Sequence, residues 1–178
     1  MNLPNKLSIL RVLCIPVIVV LMILPGENLH WAAAAVFLIA SLTDFLDGHI
    51  ARSQNLVTDF GKFIDPVADK LLVLSTLIML VHQQLFPAWG LVIILARELS
   101  VDGLRLVASG KGTVIAAGPL GKIKTTLQMI MILYLLVFVQ PVLAHPVGIV
   151  LFILVLGMTI VSGIDYFRRN SALLKGSF

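Results

Sequence analysis

Six predominantly apolar runs, near 3–24, 31–52, 61–81, 87–108, 120–139 and 146–167, take up almost the whole chain. About 20 apolar residues in a helix cross a hydrocarbon core, since each residue rises about 1.5 Å and the core is about 30 Å thick. Nothing in that medium can satisfy an open backbone N–H or C=O, so each run is expected to be helical. Composition agrees, because 59% of the 178 residues are hydrophobic and only 12% are charged. A soluble domain carries about 25% charged residues. The links between runs are short, which leaves no room for a separate soluble module. The expectation is an all-α integral membrane protein: six transmembrane helices around a cytosol-facing polar site, one domain over residues 1–178.

Two smaller readings bear on that frame. Lys6 and Arg11 ahead of an apolar stretch resemble the start of a secretory signal peptide, but no small-residue cleavage site follows and five more runs do. The single cysteine, Cys14, lies in the first run and excludes an internal disulfide.

Orientation follows from the cations. With the N-terminus in the cytosol, the links at 25–30, 82–86 and 140–145 face outward, and none contains Lys or Arg. All 13 Lys and Arg therefore fall on the inner side, which the positive-inside rule makes cytosolic. Every acid except Glu27 is there too. The net charge of +4 is thus a matter of topology. No nucleic-acid partner is expected, because the chain offers neither a soluble module nor a reading surface.

Against this apolar background, the stretch TDFLDGHIARSQNLVTDFGKFIDPVADK, residues 43–70, holds five aspartates. Asp44, Asp47, Gly48 and Ala51 share one helical face, and Gly61, Asp65 and Asp69, four apart, form a second stripe. Two antiparallel helices could bring these four carboxylates to one point just inside the inner boundary. Gly48, Ala51, Gly61 and Ala68 would allow close backbone approach or leave room for a flat ligand. Four carboxylates in a low-dielectric setting repel unless something positive lies among them. Hard divalent cations, Mg²⁺ or Mn²⁺, suit oxygen ligands and keep positions open for phosphate. A pair of such ions is the arrangement that clamps attacking and leaving oxygens in phosphoryl transfer. Asp59 stands outside the spacing and reads as a solvated helix end.

The pattern Asp44-x2-Asp47-Gly48-x2-Ala51-Arg52-x8-Gly61-x3-Asp65-x3-Asp69 resembles the signature of the CDP-alcohol phosphatidyltransferase family at all eight positions. The resemblance implies a six-helix membrane enzyme, usually a homodimer, that moves a phosphatidyl group from a CDP-linked lipid to an alcohol and releases CMP. It implies that Asp44, Asp47, Asp65 and Asp69 bind the metal ions, with Asp69 also the general base. It further implies that Arg52 holds the donor's diphosphate while Gly48, Ala51 and Gly61 line the nucleotide pocket. Thr43 stands next to the motif, as a nucleotide contact or a plain helix residue. The chemistry fits, since an alcohol is a poor nucleophile near neutral pH and needs a placed carboxylate. A direct in-line displacement without a covalent intermediate is implied.

The alcohol has to be read elsewhere. The segments ARELSVDGLR and GKIKTTLQ carry Arg97, Arg105, Lys122 and Lys124, and Lys111 lies between them, making the most basic region of the chain. Glu98, Asp102 and Arg105 share a helical face, as do Lys122 and Thr125. Surplus cations near a diphosphate site suggest a second anion, hence a phosphorylated acceptor. Ordinary inner-loop charge or contact with anionic lipid is the competing, less favoured explanation for Lys111 and Lys124. These segments, with NLPNKLSILR and DPVADK, resemble the glycerol-phosphate-accepting branch of the family. By that likeness CDP-diacylglycerol is the donor, sn-glycerol 3-phosphate the acceptor, and Arg105, Lys122, Lys124 and Thr125 its binding residues. Branches that make cardiolipin or phosphatidylinositol phosphate also suit a basic site.

A divalent-cation transporter is the alternative from another class, but no acid lies in the outer half of any run. Trp31 and Trp89 are placed at outer span ends, where aromatic belts form. Pro66 implies either a helix start capped by Asp65 or a kink. Asn5 and Arg11 read as head-group anchors or as support for the site. His30, His82 and His145 read as solvated loop residues, and His49 is given no role. Compact length and no transit peptide ahead of the first run point to a bacterial plasma membrane.

Overall fold

The computed structural model describes residues 3–53, 59–113, 115–116 and 118–171; side chains at 3–4, 27, 44–53, 59–60 and 62–63 lie outside that description. Among the described residues there are six helices and no strand: α1 Leu3–Ile23, α2 Glu27–Ser53, α3 Asp59–His82, α4 Ala88–Gly110, α5 Pro119–Phe138 and α6 Pro146–Arg169. Prolines open α5 and α6, where the missing N–H costs nothing and φ is already helical. His145 caps α6, its ring Nδ1 accepting the Val147 N–H at 3.4 Å. Gly26, at φ +147°, makes the turn after α1, which starts α2 at Glu27. His30 is therefore helical, not a loop residue, and its Nε2 lies 3.2 Å from Gln83 Oε1.

Among the described residues, three helices are long and apolar enough to cross a membrane: α1 over Asn5–Ile23, α5 and α6. Among the described residues of α2, Asn28–Thr43 form a shorter apolar helix. Helices α3 and α4 carry several charged residues, Asp65, Asp69 and Lys70 in the first and Arg97, Glu98, Asp102 and Arg105 in the second. The described residues are those of an all-helical protein with helices long and apolar enough for a membrane.

The chain divides into two compact units, residues 1–85 with 132–139, and residues 86–131 with 140–178. In the first, α1 and α3 run parallel: Ser8 Oγ donates to Asp65 Oδ1 near one end, and Gln83 Nε2 donates to the Met22 carbonyl at 2.6 Å near the other. The His30–Gln83 pair shows α2 running the opposite way. Ala33, Ala34, Phe37 and Ala40 bury one face of α2, small side chains letting neighbouring backbones approach.

Helix α1 is inside-out by the standards of a soluble protein. Leu10, Leu13, Val17, Val20 and Ile23 are exposed, while Asn5, Ser8 and Arg11 are buried. Surrounding hydrocarbon reverses the usual preference, favouring polar groups turned inward. Asn5 and Arg11 are thus interior residues and not head-group anchors. Helix α3 continues unbroken through Pro66, so Asp65 lies within it and caps nothing.

The second unit packs α4 against α6. Val101, Leu104 and Tyr166 form a buried cluster, with Ile115 and Phe167 against it. Phe152 meets Phe86 and Trp89 edge-on at 5.5 and 5.1 Å between ring centroids. Trp31 and Trp89 are both more than half exposed, as an interfacial belt requires.

Candidate active site

In the first unit, the aspartate motif divides between α2 and α3. Asp44, Asp47, Gly48, Ala51 and Arg52 fall in α2 at helical spacing, with side chains outside the described residues. Asp65 and Asp69 are half-buried, one turn apart on α3, and Gly61 and Ala68 beside them are buried. Among the described residues no group of three His, Cys, Asp or Glu side chains forms a metal cage. The donors α3 does supply are carboxylate oxygens at i and i+4, the hard-ligand type that Mg²⁺ or Mn²⁺ prefers. Thr43 is half satisfied by its own helix, its Oγ1 donating to the Ala40 carbonyl at 2.7 Å. Only its lone pairs remain for a ligand.

In the second unit, the basic segments divide into two arrangements. Arg105 Nε donates to the Tyr166 hydroxyl at 3.0 Å, and the guanidinium carbon lies 5.5 Å from the ring centroid. Tyr166 thus fixes the stem of Arg105 while other guanidinium N–H groups stay available. Lys124 is nearly buried, with Nζ paired to Glu98 Oε1, and Arg97 Nη1 reaches the same oxygen at 3.2 Å. Two cations thus share one carboxylate oxygen in a poorly solvated place. Gly163 allows it: a Cβ there would stand 3.2 Å from Arg97 Cγ. Arg97 Nε is buried without an acceptor among the described residues. Lys122 is exposed, and Thr125 Oγ1 donates to the Gly121 carbonyl at 3.0 Å.

Sequence spacing grouped Glu98 with Asp102 and Arg105, whereas the structure pairs Glu98 with Lys124 on a different helix. It also missed Ser8 and Tyr166. The signal for Ser8 was present: Asn5, Ser8 and Arg11 recur every third position, on one helical face of a run whose only other charged residue is Lys6. Tyr166 carried none, since an aromatic near the end of an apolar helix is ordinary.

The family model described as CDP-alcohol phosphatidyltransferase matches residues 1–161. The chain belongs to the CDP-alcohol phosphatidyltransferase family. Its similarity to named members covers nearly all of both partners. It is 44% identical over 190 residues to a protein of Bacillus subtilis (strain 168) named CDP-diacylglycerol–glycerol-3-phosphate 3-phosphatidyltransferase, with 99% of this chain and 98% of that one covered. Proteins of the same name match from Rickettsia typhi, 39% identical with 94% and 96% covered, and from Shigella flexneri serotype 5b, 35% identical with 96% of each covered. Family membership accounts for the unbroken aspartate motif across α2 and α3. Enzymes of this family use divalent metal ions, which agrees with the oxygen donors on α3.

Proposed function

We propose that this enzyme transfers the phosphatidyl group of CDP-diacylglycerol to sn-glycerol 3-phosphate, yielding phosphatidylglycerophosphate and CMP. The observation that carries the proposal is full-length similarity to relatives bearing that name, combined with an intact aspartate motif. The tyrosine-held Arg105 and the exposed Lys122 support an anionic acceptor over a neutral one.

Asp44, Asp47, Asp65 and Asp69 would hold two divalent ions, Mg²⁺ or Mn²⁺. When bound, such ions neutralise the diphosphate oxygens and stabilise charge on the departing CMP. Arg52 binds the diphosphate, and Thr43, Gly48, Ala51 and Gly61 line the nucleotide site. Arg105, Lys122 and Thr125 receive the acceptor's phosphate, with Lys124 adding charge that it shares with Glu98. Asp69 takes the proton of the acceptor hydroxyl. The hydroxyl oxygen bonds to the phosphorus carrying diacylglycerol, and the bond from that phosphorus to the CMP oxygen breaks.

The same reading makes all six helices transmembrane, the chain a single membrane domain, and the site open to the cytosol of a bacterial plasma membrane, in a homodimer. The purified protein, given CDP-diacylglycerol and Mg²⁺, should release CMP only when glycerol 3-phosphate is added. Asp69→Asn should abolish release while donor binding largely survives. Release driven equally by inositol phosphate, or by phosphatidylglycerol, would reassign the acceptor. Near-normal turnover by Asp69→Asn would remove the base from that residue.

A further inference from the structure

Buried hydroxyls in these helices mostly return their proton to their own backbone. Thr76 donates to the Leu72 carbonyl, Thr159 to Val155 and Ser162 to Thr159. That local bond is the cheapest way to satisfy a hydroxyl in an apolar setting. Ser8 also reaches another helix. Fully buried, it sends its proton across to Asp65 Oδ1 on α3.

We infer that Ser8 is a positioning residue for Asp65, and that the polar stripe of α1 thereby forms part of the carboxylate site. This rests on the metal-binding role proposed for Asp65. A hydroxyl has one proton, so the bond occupies a single lone pair on Oδ1 and fixes the carboxylate rotamer. Oδ2 and the second Oδ1 lone pair remain for a cation. Ligand carboxylates depend on such outer partners, and removing one typically costs 10- to 100-fold in metal affinity or activity.

Two features make the contact more than a chance approach. The Gln83–Met22 bond ties the far ends of the same two helices, so α1 is pinned to α3 at two separated points and cannot slide by a turn. The stripe also continues. From the Ser8–Asp65 contact, equal rise along two parallel helices places Arg11 level with Ala68, beside Asp69. Arg11 is 1% exposed, so a full positive charge is buried in the unit that holds the aspartates. Such a charge persists in a membrane interior only where opposite charge compensates it.

The test uses the full chain in detergent with CDP present. Mn²⁺ affinity is read from the electron paramagnetic resonance signal of the free ion, alongside the metal dependence of CMP release. Ser8→Ala should raise the Mn²⁺ Kd by about tenfold and the activating metal concentration in parallel. The KM for glycerol 3-phosphate should not change, and Ser8→Thr, which keeps the hydroxyl, should stay within about twofold of the parent. Ser8→Cys, nearly isosteric but a poor donor, provides a second reading should the alanine variant not fold. A folded Ala or Cys variant that binds Mn²⁺ as the parent does would overturn the role of Ser8. So would a parent chain that binds no Mn²⁺. A parent that binds Mn²⁺ with a Ser8-dependent affinity, but releases no CMP with glycerol 3-phosphate, would overturn the acceptor assignment and leave Ser8 standing.

Discussion

Arg105 is held by Tyr166 through both a hydrogen bond and the face of the ring, and these can be separated. Tyr166→Phe keeps the ring and the packing against Val101 and Leu104, and removes only the oxygen that accepts from Nε. Arg105 is partly exposed, so water replaces some of the lost bond, and a cost on the order of 1 kcal/mol is expected. The acceptor KM should rise about fivefold, with donor KM and melting temperature nearly unchanged. A KM for glycerol 3-phosphate equal to the parent's would show that Arg105 needs no such support, or that the acceptor's phosphate binds elsewhere. Asp65 and Asp69 were readable from the sequence because four-residue spacing is a property of one helix. The pairing of Lys124 with Glu98 was not, because its partners are 26 positions apart and belong to different helices.

At the level of the helices, close approach is set by glycine at particular places. A Cβ on Gly148, in the first turn of α6, would overlap the Val142 carbonyl oxygen of the preceding turn. Backbone cannot yield there as a flexible side chain would. Gly148→Ala should destabilise the protein by about 2 kcal/mol, lowering the melting temperature in detergent by about 5 °C. Gly157→Ala, two turns further on with open space where its Cβ would go, should match or slightly exceed the parent. Equal melting temperatures for the two variants would show that α6 starts differently. The helix positions themselves followed from apolar run length, and five of the six begin within two residues of expectation. The exception, α2, starts at Glu27 and not near 31, because Gly26 turns the chain sooner than the first apolar residue suggests. Pro66 was ambiguous for a related reason, since a proline at the eighth position of a helix and one at a new start look alike in sequence.

For the whole molecule, the distribution of charge makes a firm prediction about sidedness. In a Cys14→Ser background, Ala144→Cys lies in a link that contains no cation, and Gly110→Cys lies at the inner end of α4. A membrane-impermeant maleimide should label the first in intact cells and the second only after permeabilisation. The reverse pattern would invert the topology, and labelling of both from outside would break the six-span arrangement. What the sequence alone determined is the helical membrane class, the approximate bounds of the six described helices, and the family through its spaced aspartates. All of these depend on short-range order, because run length and periodicity are local to one helix or one link. What only the tertiary structure decided is which polar groups meet across helices: Ser8 with Asp65, Gln83 with Met22 and His30, Tyr166 with Arg105, and Glu98 with Lys124. The physical reason is that hydrocarbon forces buried polar groups to find partners, while the choice of partner depends on helix direction and register, which emerge only when the helices pack.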